Sequence, residues 1–78
     1  MTTVTGFIHG DLVKNKSDND DGLVFFVLNP ERRVEANGFE PYYQVVVQNL
    51  SNYNDIRYVN YDYFVNGRWY KVDRTNQL

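Results

Sequence analysis

The chain has no cysteine, which excludes a disulfide framework and any thiolate metal site. It has one histidine, His9, and two serines, Ser17 and Ser51, both inside polar stretches, so a Ser-His-acid nucleophile has no elbow to sit on. No glycine-rich phosphate cradle and no metal-ligand spacing is present, and the adjacent carboxylates Asp20 and Asp21 have nothing apolar around them to raise a pKa. These absences lead to the expectation of a non-enzyme with no catalytic residue, no metal and no small-molecule cofactor. No apolar run approaches the ~18 residues of a membrane span, and Met1-Thr2-Thr3-Val4-Thr5 lacks the basic start and apolar stretch of a secretory leader. A soluble, cytoplasmic protein without a membrane partner is therefore expected.

Strong charge is lacking too. The net charge is −2, whereas a nucleic-acid binder is usually basic because neutralising phosphates supplies most of its affinity. The charge is also uneven along the chain. Residues 11–40 hold seven acids (Asp11, Asp18, Asp20, Asp21, Glu31, Glu35, Glu40) against four bases (Lys14, Lys16, Arg32, Arg33), and residues 41–78 hold three acids against four bases. A patch of Arg57, Arg68, Lys71 and Arg74 would work against the field of the acidic segment.

With 78 residues the chain is long enough for one domain, 1–78, and a chain of this size buries only ~60–65% of its unfolded surface. Packing, hydrogen bonding or association must stabilise it. What it has in quantity is aromatic side chain, 17% of all residues, each ring able to remove ~150–250 Å² from water.

Alternation and turn clusters divide the chain into strands. Val4 to Val13 reads as a first strand, with Gly6 and Gly10 marking a bulge or bend. Asn15 to Gly22 is a polar run that reads as an exposed loop. Its Ser17-Asp18-Asn19-Asp20-Asp21-Gly22 imitates a calcium loop but places Leu28 where the bidentate glutamate belongs, so a solvated acidic loop is the better reading. Leu23 to Leu28 is continuously apolar, as in a central strand covered on both faces or one half-covered with the remainder in an interface, and Asn29-Pro30 is expected to end it in a turn or short 3-10 segment. Tyr42 to Gln48 alternates, with Tyr43, Val45 and Val47 on one side and Tyr42, Gln44, Val46 and Gln48 on the other. Asn49 to Asp55 forms a second polar turn cluster.

The last third carries the strongest local signal. Asn66-Gly67 between β-formers predicts a two-residue hairpin over Arg57 to Asp73, with Phe64 facing Trp69, Tyr63 facing Tyr70 and Asp62 facing Lys71. In that register Tyr61, Tyr63 and Tyr70 share the core face with Val65 and Val72, while Tyr58, Phe64 and Trp69 occupy the other face. The tail from Arg74 is expected to fray. Five short strands without a convincing helix predict an all-β domain: a small five-stranded antiparallel barrel of the OB-like or SH3-like kind, or a curled sheet.

A domain this small lacks the mass to cover both faces of an aromatic hairpin. Two readings follow for Phe64 and Trp69, as core rings or as an exposed cluster of the kind that marks an interaction site. The candidate partner-binding set is Phe7, Tyr42, Tyr58, Phe64, Arg68 and Trp69. The favoured function is a non-enzymatic protein-binding or self-associating accessory domain, since Tyr, Trp and Arg dominate interface hot spots. One version is an accessory protein of a virus or mobile element that inhibits a nucleic-acid enzyme by presenting carboxylates in place of phosphates. The alternative is an OB-like single-stranded nucleic-acid binder that stacks bases on the same rings.

Overall fold

The computed structural model describes residues 5–72. Five strands, β1 (Leu12–Asn15), β2 (Phe25–Ala36), β3 (Phe39–Asn49), β4 (Asn52–Asn60) and β5 (Trp69–Lys71), form one antiparallel sheet in the order β4-β3-β2-β1-β5. A 3-10 turn, Asp18–Asp20, lies in the β1–β2 connection, and a single helical turn, α1 (Asp62–Val65), joins β4 to β5. The all-β class and the five antiparallel strands are as the sequence predicts. The barrel is not: β4 and β5 stand at opposite edges and the sheet stays open.

The long hairpin of the molecule is β2–β3, closed by Asn37-Gly38 with Ala36 opposite Phe39. Gly38 takes a φ of 78° and no non-glycine residue among the described ones has positive φ, the sign pattern of a type II turn, which needs glycine only at its third position. β2 does not end at Asn29-Pro30. The register shifts between Val27 and Asn29 and again between Asn29 and Arg32, so the proline, which cannot donate to a ladder, sits in a bulged stretch and the strand resumes beyond it. The Pro30 carbonyl accepts a hydrogen bond from the Thr5 hydroxyl at 2.8 Å, which ties the N-terminal segment to the irregularity.

The second Asn-Gly does not make the predicted hairpin. Tyr61 to Val65 winds into α1, where the Asn66 N–H donates to the Asp62 carbonyl (3.0 Å) and Gly67 follows with a φ of 84°. Asn66-Gly67 is thus a helix C-terminus of the left-handed kind. The helical period replaces strict alternation. Tyr61 and Phe64, three apart, turn toward the core, while Tyr63 and Val65 are exposed. β5 then pairs with β1, Trp69 opposite Asn15 and Tyr70 opposite Lys14, so Tyr70 faces out and Trp69 faces in. Of the three tyrosines expected in the core, only Tyr61 packs there. The first strand is also shorter than predicted, because Thr5 to Asp11 form turns rather than ladder, with positive φ at Gly6 and Gly10. Val4 and the tail from Asp73 lie outside the described residues.

One face of the sheet is covered. Val13, Phe25, Val27, Val45 and Val47 are fully buried, with Phe7, Val59 and Trp69 nearly so, and Leu23, Tyr61 and Phe64 pack against them. Phe64 bridges Phe7 (4.7 Å between ring centres) and Trp69 (5.9 Å), and Trp69 meets Phe25 edge-on at 5.1 Å. Burying a Val or Phe side chain contributes ~1.5–3 kcal/mol. This cluster therefore outweighs an exposed pair such as Arg33–Glu35, worth ~0–1 kcal/mol.

Candidate protein-interaction surface

The sheet register sorts side chains onto a second face that no described element covers. One row across it reads Leu12, Phe26, Gln48, Ile56, and another reads Arg32, Gln44, Asn60. Between them Val46 lies opposite Tyr58, and beyond the second row Tyr42 lies opposite Val34. Val46 is buried by its neighbours, whereas Tyr42, Ile56 and Tyr58 are 42%, 43% and 57% exposed. The charged part of this face is held in place. The Arg32 guanidinium donates to Gln44 Oε1 at 2.8 Å, Gln44 Nε2 donates to Asn60 Oδ1 at 2.9 Å, and the Arg32 guanidinium lies 5.0 Å from the centre of the Tyr58 ring. An arginine already oriented on a ring loses less freedom when it meets a partner than a solvated one.

At the far edge of the same face Lys16 Nζ lies 5.7 Å from the Tyr70 ring centre. Bases and exposed rings thus share the open side of the sheet, while Asp11, Asp20 and Asp55 belong to its covered side. The Asp11 carboxylate accepts from the Ile8 N–H (3.0 Å) and lies 3.4 Å from Lys71 Nζ.

The other two acids meet Arg57, which forms the main polar network of the protein. Its Nη1 and Nη2 donate to the two Asp20 oxygens (2.6 and 3.1 Å), and Nε and Nη2 donate to Asp55 (3.0 and 3.1 Å). The guanidinium also lies 4.8 Å from the centre of the buried Phe25 ring. Asn15 donates to Asp20 at 2.7 Å and Asn49 to Asp55 at 3.1 Å. The hydrogen bond from Arg57 is the main reason the Asp20 carboxyl titrates below its usual 3.8, and the Asn15 bond adds to it against the opposing effect of burial. Arg57 and then Asn49 lower Asp55 in the same way, and hydrogen bonding to both acids raises Arg57. Asp20 is buried, so the polar run from Asn15 to Gly22 is not wholly the solvated loop that its composition predicts. It is pinned to β4 across 37 residues of chain.

The six candidate partner-binding residues fall into separate environments. Phe7, Phe64 and Trp69 lie in or against the core, Tyr42 and Tyr58 stand on the open face, and Arg68 is exposed in the turn before β5. The Arg68 N–H donates to Asn66 Oδ1 (2.9 Å) and its carbonyl accepts from the Lys16 N–H (2.9 Å). Sequence reasoning missed Ile56, Arg32 and the outward aim of Tyr70. Ile56 and Tyr58 alternate with the inward Arg57 and Val59, a period-2 signal that the polar residues before Ile56 obscure.

Where β4 ends at Asn60 the sheet loses its outermost strand, and a groove of about 440 Å³ opens there, lined by Tyr42, Tyr43, Asn60, Tyr61 and Asp62. Two of these residues are tied together by the Tyr61 N–H donating to the Tyr43 carbonyl at 3.0 Å. Elsewhere, His9 meets the Phe26 ring edge-on at 6.3 Å, and the Ser17 hydroxyl caps the 3-10 turn by accepting from the Asn19 N–H (3.3 Å). The described residues contain no group of three or more His, Cys, Asp or Glu placed to hold a metal ion, and no helix among them is long and apolar enough to cross a membrane. Comparisons with protein-family models, curated proteins and solved structures return no match.

Proposed function

We propose that this chain is a non-enzymatic protein-binding module that works through the uncovered face of its sheet, with Tyr42, Ile56 and Tyr58 as anchors and Arg32 as an oriented cation. The carrying observation is the exposure of these three apolar side chains around a buried Val46, on a face that no described element covers. Exposed apolar patches rimmed by polar groups are characteristic of interaction sites, and Tyr and Arg are hot-spot residues because they combine contact area with a polar end. Ile56 favours a protein partner over a nucleic acid, since an aliphatic side chain offers no stacking surface. A phosphate-mimicking inhibitor is less well supported, because Asp11, Asp20 and Asp55 are engaged within the chain.

The test is association. Light scattering over a wide concentration range, with immobilised chain as bait for partners, is expected to show complexes that Ile56→Thr plus Tyr58→Thr abolishes while the circular dichroism spectrum is retained. A wild-type chain that stays monomeric and captures nothing above the double variant would overturn the reading.

A second reading has its own support, the placement of Lys16 on Tyr70 and Arg32 on Tyr58 along one sheet side. Base stacking contributes ~1–3 kcal/mol per base, so such a platform suits single strands. Anisotropy of labelled oligonucleotides decides it: binding at ~50 mM salt that fades by ~200 mM supports it, and none at the lower salt sinks it.

A further inference from the structure

We infer that the groove at the end of β4 receives a cationic side chain, the ammonium of a lysine or the guanidinium of an arginine presented by a protein partner. This deepens the protein-binding reading and rests on it. Three of the five residues around the groove are tyrosines, Tyr42, Tyr43 and Tyr61, and the remaining two are Asn60 and Asp62. None of these described residues carries a positive charge. A cation over the face of an aromatic ring is attracted by the ring quadrupole, and several rings around one cavity are how proteins recognise ammonium groups. Among the described ring contacts none joins these tyrosines to one another, and the open volume lies against all three.

The carboxylate supplies the second component. Asp62 is exposed, and unlike Asp11, Asp20 and Asp55 its side chain makes no hydrogen bond or ion pair with another described residue. The nearby arginines of β2 are engaged elsewhere: Arg32 with Gln44 and Tyr58, and Arg33 with Glu35 at 3.0 Å. Asn60 already accepts from Gln44 through Oδ1, and Asp62 is the acidic side chain among the described residues that line the groove. The volume of about 440 Å³ exceeds what one ammonium fills, so a side chain entering with part of its stem fits better than a small ion. Because the groove adjoins Tyr42 and Asn60 of the open face, a partner lying on Ile56 and Tyr58 can reach it with one extended residue.

Titration of the 15N-labelled chain with N-acetyl-lysine amide, N-acetyl-arginine amide and tetramethylammonium chloride, each against matched sodium chloride, tests the inference by NMR. The expected result is saturating shifts of the Tyr43, Asn60, Tyr61 and Asp62 amides in the millimolar range, as suits a few exposed cation–ring contacts and one charge pair. Asp62→Asn is expected to weaken the amino-acid amides about tenfold, and Tyr42→Leu to weaken all three cations, with dispersed spectra confirming the fold in both. Absence of saturable shifts, shifts spread equally over Asp18 and Asp21, or an unaltered titration in Asp62→Asn would overturn it. If association is lost in Ile56→Thr plus Tyr58→Thr while the groove fails to titrate, the open-face reading stands and this inference alone falls.

Discussion

The two faces of the sheet are built from neighbouring residues of the same strands, yet they treat apolar side chains in opposite ways. On the covered face Phe25, Val27, Val45 and Val47 are fully buried under Phe7, Phe64 and Trp69, and Arg57 closes one end by gripping Asp20 and Asp55. On the open face Tyr42, Ile56 and Tyr58 stay in contact with water although they alternate with core residues along β3 and β4. Burial of the first set stabilises the fold. Exposure of the second leaves contact area for something outside the chain, and the expected responses to mutation differ accordingly.

The largest difference is expected from the aromatic core. Phe25→Ala or Trp69→Ala removes a buried ring and leaves a cavity, a loss of about 3–5 kcal/mol. A domain of this length has on the order of 4–12 kcal/mol in total. Either variant is therefore expected to show a steep fall in the midpoint of urea unfolding, and survival with wild-type stability would break the distinction between the faces.

Next comes the network that seals the core's end. Arg57→Ala leaves the buried Asp20 without its cation, and the expected cost is about 2–3 kcal/mol, below that of a fully buried pair because the guanidinium is 34% exposed. Arg57→Lys is expected to recover only part, since an ammonium cannot satisfy two carboxylates through a planar fork. The same network sets an acid limit. Asp20 and Asp55 titrate below their usual 3.8 in the folded chain, so the unfolded state binds protons first as pH falls. Their contribution is complete above about pH 4–5 and is lost progressively as pH drops through the lowered folded values. Thermal melts from pH 6 down to pH 2 check this, and in Arg57→Ala the acid-side slope is expected to flatten.

Much of the covered face was legible in the sequence. The alternation of Tyr42 to Gln48 gives the two sides of β3 correctly, and the apolar run Leu23 to Leu28 marks the start of β2. Two dipeptides misled. Asn-Gly specifies little beyond a positive φ at glycine, and that requirement is met equally by the β2–β3 turn at Asn37-Gly38 and by the C-terminus of α1 at Asn66-Gly67. A four-residue helix is too short to show a period of its own, so Tyr61 to Val65 reads as strand. Pro30 reads as a strand end because a bulge that accommodates it has no local signature. The Arg57–Asp20 pair spans 37 residues and arises only when β4 and the β1–β2 connection are brought together by the sheet. The candidate site was half legible: Tyr42 and Tyr58 lie on the open face, while the rings chosen with them from a hairpin register, Phe64 and Trp69, pack against the core.

The smallest expected effect on stability is the most informative one. Equilibrium urea unfolding of the Ile56→Thr plus Tyr58→Thr variant, which keeps β-branched residues on β4, measures directly whether the open face belongs to the fold or to a partner. The slope is expected to match wild type and the stability to fall by no more than about 1 kcal/mol, the scale of the cross-strand and cation–ring contacts removed. A loss above about 2 kcal/mol would show that these side chains stabilise the domain itself, and would contradict the assignment of this face to binding.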